Sequence, residues 1–156
     1  DIALSGKTNE LILSQAIDNF AISSITESLD VKNFDISFAK GLSVEDGCAT
    51  LTDFTAYLIS EGLKKIDNLR NIKTNNLILC GGGRKNKSLI NRIYQYMNSK
   101  KLKIRNIDEF SINGDFVESQ AFGYLAIRSF LNLPISFPNT TRCDIACSGG
   151  ELTKNF

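Results

Sequence analysis

The feature that most constrains this fold is an apolar run at residues 77–80 (LILC) that ends directly in Gly81, Gly82 and Gly83. A short continuous apolar run bounded by turn residues predicts a strand buried on both faces. Glycines at its carboxyl end let the chain turn sharply, with no Cβ in the way of a close neighbour. Asn86 then follows as a good N-cap for a helix. This order of strand, glycine bend and helix predicts one unit of an α/β layer.

The residues before this unit are predicted to be mainly helical. Apolar residues at helical spacing predict a helix over residues 8–20, with Thr8 or Asn9 as its N-cap. Residues 21–42 show no clear period, which indicates a connecting segment.

The strongest predicted helix begins at Ser43 and extends to about Leu69. The sequence of residues 43–46 resembles a capping box, with Asp46 in place of the usual glutamate. The spacing predicts one buried apolar stripe, formed by Leu51, Phe54, Leu58, Ile59, Leu63 and Ile66.

The second half of the chain continues the alternation of strands and helices. Residues 101–105 alternate apolar and basic side chains, as expected of a second strand. A helix is predicted to open at Gly114 and Asp115 and to end before Pro134. Its inward residues are predicted to be Val117, Ala121, Phe122, Leu125, Ala126 and Phe130. The tail is loop-like, with a short edge strand at residues 145–147. The whole pattern predicts an α/β fold with a sheet covered by helices.

Composition excludes several classes of function. The 156 residues contain 18 Lys and Arg, 17 Asp and Glu, and no histidine, which gives a net charge of +1. That balance gives little attraction to nucleic acid or to an anionic membrane. No apolar run approaches the roughly 20 residues that span a bilayer. The lack of histidine excludes histidine-based triads and histidine-bearing metal sites, and no metal site is predicted.

The four cysteines indicate a reducing, cytoplasmic compartment. Cys48 and Cys80 stand in apolar surroundings and are predicted to be buried thiols. Cys143 and Cys147 have no second pair, so free thiols are expected rather than a zinc site. Because the first residue is Asp1 rather than methionine, we expect a fragment or a processed product.

The glycine bend suits phosphate binding, because helix N-termini at the carboxyl ends of strands favour anions. A plain strand-to-helix turn is the structural alternative. A dinucleotide fingerprint requires a glycine where Asn86 stands, and the P-loop motif fails at the same position before Lys87 and Ser88. A P-loop-like phosphate-binding domain therefore remains a minor alternative.

A second constellation lies at Asp115 and Glu118. Three residues apart in the first turn of a helix, they are expected to share a face and to favour its positive end. Ordinary helix-start acids are the structural alternative. The basic residues at positions 84, 85, 87 and 92 are predicted to form a solvated face.

Three blocks of this sequence together resemble the anhydro-N-acetylmuramic acid kinase family. They are residues 42–52 (LSVEDGCATLT), residues 80–86 (CGGGRKN) and residues 114–126 (GDFVESQAFGYLA), in the order and at the spacing of that family. Residues 138–141 (PNTT) also resemble a proline-threonine stretch near the family's carboxyl terminus. The likeness covers essentially the whole chain.

The resemblance implies a cytoplasmic bacterial sugar kinase with an actin/hexokinase-type (ribonuclease H-like) ATPase fold. It implies that residues 43–156 form the carboxyl-terminal, nucleotide-facing α/β lobe, a mixed sheet covered by helices, and that residues 1–42 form a linker and a helix from the inter-lobe region. The partners would be ATP, Mg²⁺ and 1,6-anhydro-N-acetylmuramic acid. The product would be N-acetylmuramic acid 6-phosphate, formed in cell-wall recycling.

The same resemblance assigns the site residues. Gly81, Gly82, Gly83 and Asn86 would meet the nucleotide, while Glu118, with Asp115, would lie on the sugar side. The family's catalytic aspartate and most magnesium ligands would belong to a missing amino-terminal lobe, so no catalytic residue is assigned here and the chain alone should be inactive. The alternative is a non-catalytic interaction module, in which the amphipathic helices form a homodimer face.

Overall fold

Helices and a small parallel sheet make up the chain in a computed structural model that describes residues 2–20, 34–151 and 153. The helices are α1 (Ile2–Ser5), α2 (Glu10–Asn19), α3 (Val44–Arg70), α4 (Lys87–Met97), α5 (Val117–Phe130) and α6 (Pro138–Thr141), and the strands are β1 (Asn76–Leu79) and β2 (Lys103–Asn106). The predicted α/β class is confirmed. Part of the predicted connecting segment, residues 21–33, lies outside the described residues. None of the described helices is both long and apolar enough to cross a membrane.

Side-chain caps fix the starts of α2 and α3 where the sequence predicts them. Asn9 accepts a hydrogen bond from the backbone N–H of Ile12 at 3.1 Å, and Ser43 accepts one from Asp46 at 3.1 Å. These bonds satisfy N–H groups that have no partner within the helix. At the other end of α3, Asn71 adopts a left-handed conformation that terminates the helix.

Helix α3 buries a different face from the predicted apolar stripe. Of that stripe only Phe54 is buried, whereas Ile59 and Ile66 are exposed. The buried residues of α3 are Gly47, Ala49, Thr50, Asp53, Phe54, Ala56 and Ser60. This face is covered because α1, α2 and α4 all pack against α3. Polar residues are tolerated in it because Thr50 and Asp53 have hydrogen-bond partners on neighbouring segments.

An aromatic cluster forms the core between α2 and α3. Leu13 and Ala16 of α2 pack with Phe54 of α3. The rings of Phe20 and Phe38 meet that of Phe54 edge to face, with centroids 5.7 and 5.1 Å away. Such ring pairs add to the gain from burial alone.

Both ends of α3 are tied to the chain segments beside it. Near the amino end, the backbone N–H of Lys7 donates to Oδ1 of Asp46 at 2.8 Å. Near the carboxyl end, Asp67 accepts from the backbone N–H of Thr74 at 2.9 Å and from its hydroxyl at 2.6 Å. The segment that leads into β1 is therefore held against the last turns of α3.

The sheet is a parallel pair, β1 with β2, and the strand expected at residues 77–80 is confirmed. The prediction that it is buried on both faces is wrong. Leu77 and Leu79 are half-buried, whereas Ile78 and Cys80 are exposed. This alternation arises because only one side of the strand is covered in the described structure.

Helix α5 is mostly exposed, so the predicted inward face is also wrong. Phe122 and Phe130 are exposed, while Leu125 is only half-buried. The helix contacts the tail instead of the sheet, through hydrogen bonds from Arg128 to Pro134 and from Ser129 to Gly149. The predicted edge strand at residues 145–147 is reduced to a single antiparallel bridge between Ser136 and Cys147.

Candidate functional site

The glycine bend directly follows β1. Gly81 has a φ of +73°, in the left-handed region that favours glycine. A Cβ built on Gly81 or Gly82 would meet no other atom within 4 Å, and Gly83 is likewise exposed. The main chain of Gly82 and Gly83 is therefore open to an approaching ligand, whereas the half-buried Gly81 donates its N–H to the carbonyl of Gly114 at 3.0 Å.

Asn86 ends the bend and begins α4. Its Oδ1 accepts a hydrogen bond from the backbone N–H of Leu89 at 3.0 Å, as expected of an N-cap. The amino end of a helix carries positive potential from its free N–H groups and aligned peptide dipoles. The structure thus places Gly81, Gly82, Gly83 and Asn86 in one continuous segment at the positive end of an 11-residue helix.

Arg84 is the buried centre of a cluster beside the bend. Its side chain is only 6% exposed, and its Nε lies 2.7 Å from Oδ2 of Asp108. Its Nη1 donates to Oδ1 of Asp115 at 2.7 Å and to the carbonyl of Gly81 at 2.9 Å. The prediction of a solvated basic face is wrong for Arg84, because two carboxylates and a carbonyl enclose its guanidinium.

These ion pairs fix the charge states of the cluster. Hydrogen bonds from Arg84, and then from Lys85, hold the pKa of Asp115 well below its usual value. Hydrogen bonds from Arg84 and from the backbone of Gly114 lower the pKa of Asp108. The pKa of Arg84 is raised in turn, mainly by Asp115 and then by Asp108. Both carboxylates are therefore ionised at neutral pH and are poor proton acceptors.

Asp115 and Glu118 do not share the first turn of a helix. Helix α5 begins at Val117, so Asp115 lies in the turn before it, where its carboxylate is held by Arg84 and Lys85. Glu118 is exposed in the first turn of α5. The structure therefore joins Asp115 to the glycine bend through Arg84.

A second polar cluster, which was not predicted from the sequence, is centred on Asp53 of α3. This residue is 1% exposed, and its carboxylate accepts hydrogen bonds from Tyr96 at 2.6 Å and from Thr8 at 2.8 Å. Arg92 lies 3.3 Å from Oδ2 of Asp53 and also donates to the hydroxyl of Thr8 at 3.1 Å. The cluster joins α3 and α4 to the segment before α2. A signal existed, because Thr50, Asp53 and Ser60 recur at helical spacing within an apolar stretch.

The cysteines are free thiols, and their burial differs in part from expectation. All four are unpaired, so the prediction for Cys143 and Cys147 is confirmed. Cys80 is exposed rather than buried, since it lies beyond the last residue of β1, and Cys48 is half-buried. Within the described ranges, no three Cys, Asp or Glu side chains are placed to hold a metal ion together.

The chemistry that this arrangement supports is anion binding. The open main chain and the amino end of α4 suit a phosphate group. The nearest carboxylates, those of Asp108 and Asp115, are engaged by Arg84 and Lys85. The bend therefore provides a surface for binding an anion. The carboxylates of Asp108 and Asp115 beside it are not suited to accept a proton near neutral pH.

Comparison with known proteins gives one consistent result. The family model described as anhydro-N-acetylmuramic acid kinase matches residues 16–155. An anhydro-N-acetylmuramic acid kinase of Pelagibacter ubique is 50% identical over 153 residues, which is 97% of this chain and 40% of the relative. A kinase of the same name from Zymomonas mobilis is 37% identical over 126 residues, 81% of this chain and 33% of the relative. The chain thus spans well under half the length of these curated relatives.

Proposed function

The chain belongs to the anhydro-N-acetylmuramic acid kinase family, and from that premise we propose that it is the carboxyl-terminal, nucleotide-facing part of an ATP-dependent sugar kinase. The proposed kinase opens the 1,6-anhydro ring of anhydro-N-acetylmuramic acid with water and phosphorylates the sugar. The product is N-acetylmuramic acid 6-phosphate, in a cytoplasmic cell-wall recycling pathway. In this proposal residues 43–156 form one lobe of an actin/hexokinase-like fold, and residues 1–42 lead into it from the inter-lobe region.

The open glycine bend is the observation that carries this proposal. We assign the contact with the phosphates of ATP to the main chain of Gly81, Gly82 and Gly83 and to the helix end capped by Asn86. Free space beside Gly82 lets a phosphate reach the exposed backbone of Gly82 and Gly83 without displacing a side chain, while Gly81, whose N–H donates to Gly114, provides the turn. Phosphoryl transfer depends mainly on such positioning and charge stabilisation.

Asp115 and Glu118 are proposed to lie on the sugar side of the cleft. The carboxylate of Asp115 is fixed at 2.7 Å from both Arg84 and Lys85. The exposed carboxylate of Glu118 is accessible to a sugar hydroxyl or amide.

Magnesium and the catalytic base are assigned to the rest of the family-length polypeptide. Bound together with ATP, Mg²⁺ would supply positive charge that offsets the charge of the phosphates. The carboxylates closest to the bend do not fit a magnesium site, because Arg84 and Lys85 already neutralise them. We therefore propose that this chain binds nucleotide but does not phosphorylate sugar by itself.

A glycine substitution tests the proposal directly. Gly82→Leu and Gly62→Leu form a matched pair, because neither glycine has an atom within 4 Å of a built Cβ. ATP at millimolar concentration should shift the backbone amide NMR signals of residues 81–86 in the unchanged chain and in Gly62→Leu. Gly82→Leu should abolish these shifts, since the new side chain occupies the phosphate approach. An unchanged chain whose amides do not respond to ATP would contradict the proposal.

A non-catalytic interaction module is the second candidate, and the exposed apolar face of α5 favours it. Phe122, Ile127 and Phe130 all present apolar surface to solvent. Large exposed apolar patches commonly mark protein interfaces. A concentration-dependent dimer in sedimentation experiments, together with silent amides in the ATP titration, would support this second function over the first.

A further inference from the structure

We propose that Arg84 is a positioning residue, which sets the shape of the glycine bend and does not itself bind the nucleotide. The inference rests on the proposed function of the bend. A basic residue next to a phosphate site would ordinarily be assigned a direct charge contact. The contacts of Arg84 indicate another role, because its side chain is 6% exposed and faces protein acceptors.

Most hydrogen-bond donors of the Arg84 guanidinium are already used within the protein. A guanidinium has five N–H donors. The Nε and Nη2 of Arg84 each donate to the carboxylate of Asp108, and Nη1 donates both to the carbonyl of Gly81 and to Asp115. Four donors are therefore committed. One N–H of Nη2 is left over, so a phosphate could engage Arg84 through a two-pronged contact only by breaking bonds that hold three segments together.

The neighbouring turn is shaped to receive this side chain. A Cβ built on Gly114 would overlap the side chain of Arg84, so glycine at this position leaves the space that Arg84 occupies. The backbone N–H of Gly81 also donates to the carbonyl of Gly114 at 3.0 Å. Arg84 and this main-chain hydrogen bond together fix the first residue of the bend against the turn that carries Asp115.

Lys85 offers the contrast within the same loop. Its side chain is 62% exposed and its Nζ lies 2.7 Å from Asp115. A flexible ammonium at the surface can move from a carboxylate to an arriving phosphate. We therefore expect Lys85 to act by charge, with an effect that salt screens, and Arg84 to act by geometry, with an effect that salt leaves largely unchanged.

Arg84→Lys distinguishes a direct charge contact from a positioning role, because it keeps the positive charge and removes the planar guanidinium. ATP affinity is measured by amide NMR titration at low and high salt, with Lys85→Gln for comparison. Arg105→Lys is the matched control, since Arg105 makes an exposed ion pair with Glu109 at 2.8 Å. Arg84→Lys should weaken ATP binding about tenfold through lost preorganisation, equally at both salt concentrations. Lys85→Gln should weaken binding mainly at low salt, and Arg105→Lys should have no effect.

Gly114→Ala provides a second route to the same result. Its methyl group displaces the Arg84 side chain while leaving every charge in place, so it should also weaken ATP binding. The double variant Gly114→Ala with Arg84→Lys should be no weaker than the worse single variant, because both changes act on one contact.

The outcomes separate the two proposals. If the unchanged chain does not respond to ATP, both the proposed function and this inference are overturned. If it binds and both Arg84→Lys and Gly114→Ala bind equally well, only the role of Arg84 is overturned. A loss for Arg84→Lys that appears only at low salt would likewise assign Arg84 a direct charge contact. Should Arg84→Lys not fold, Gly114→Ala alone decides between these outcomes.

Discussion

Helices α4 and α5 differ in one respect that their sequences do not reveal. Each carries an isoleucine, yet Ile93 of α4 is 1% exposed and Ile127 of α5 is 62% exposed. Helix α4 packs on α3, whereas no described helix or strand packs extensively against α5. Apolar spacing therefore predicts a helix and a preferred face, but it does not predict whether a partner covers that face.

The largest expected effect is the loss of stability on removing the carboxylate of Asp53, which lies buried between α3 and α4. Asp53→Ala leaves Arg92 and the hydroxyl of Tyr96 without their buried partner. We expect the free energy of unfolding to fall by about 3–5 kcal/mol. Urea denaturation measures the change, and Asp18→Ala on the exposed surface of α2 should alter it by less than about 0.5 kcal/mol. A loss below about 1 kcal/mol for Asp53→Ala would show that the cluster is not a structural centre.

The two isoleucines give the most direct measurement of the difference. Ile93→Ala should destabilise the chain by about 2–5 kcal/mol, because a cavity replaces packed atoms. Ile127→Ala should change the free energy of unfolding by no more than about 0.5 kcal/mol, because its side chain already faces solvent. Similar losses in urea denaturation for the two variants would mean that α5 is covered in solution.

A smaller loss than that for Asp53→Ala is expected on removing the single hydroxyl of Tyr96 in α4, and this loss depends on pH. Tyr96→Phe removes one of the charge-assisted hydrogen bonds to Asp53 and should cost about 1.5–3 kcal/mol. Burial, and then Asp53, raise the pKa of Tyr96 above its usual value. The folded state therefore holds this proton more tightly than the unfolded state.

It follows that stability should decline as the pH rises above about 10, and Tyr96→Phe should reduce that decline. Unfolding in urea at about pH 8 and about pH 11 provides the measurement. Tyr94→Phe is the control, because the Tyr94 hydroxyl accepts a hydrogen bond from an exposed backbone N–H, that of Ile104, and not from a buried charged group. An equal alkaline decline in the unchanged chain and in Tyr96→Phe would contradict the assigned role.

Local chemistry accounts for what could be predicted from the sequence. The caps at Asn9, Ser43 and Asn86 each depend on a contact three residues away, so the starts of three helices were predictable. The glycine bend was predictable for the same reason, because Gly81 needs its left-handed conformation whatever surrounds it.

Contacts between distant residues account for what could not be predicted. Arg84 meets Asp108 and Asp115 across 24 and 31 positions, and Asp53 meets Tyr96 across 43. The spacing of residues along the sequence does not predict such distant pairs. The predicted stripe of α3 failed for the same reason, because neighbouring segments supply hydrogen-bond partners to a partly polar face and leave apolar residues outside.

Because both ends of α3 are hydrogen-bonded to neighbouring segments, the length of this helix fixes the distance between those segments. Asp46 and Asp67 belong to one uninterrupted helix, and at 1.5 Å per residue they lie about 30 Å apart along its axis. Lys7 is hydrogen-bonded to Asp46, and Thr74 is hydrogen-bonded to Asp67. Because a continuous helix resists compression and bending, a shift of either anchored segment must carry the whole rod with it.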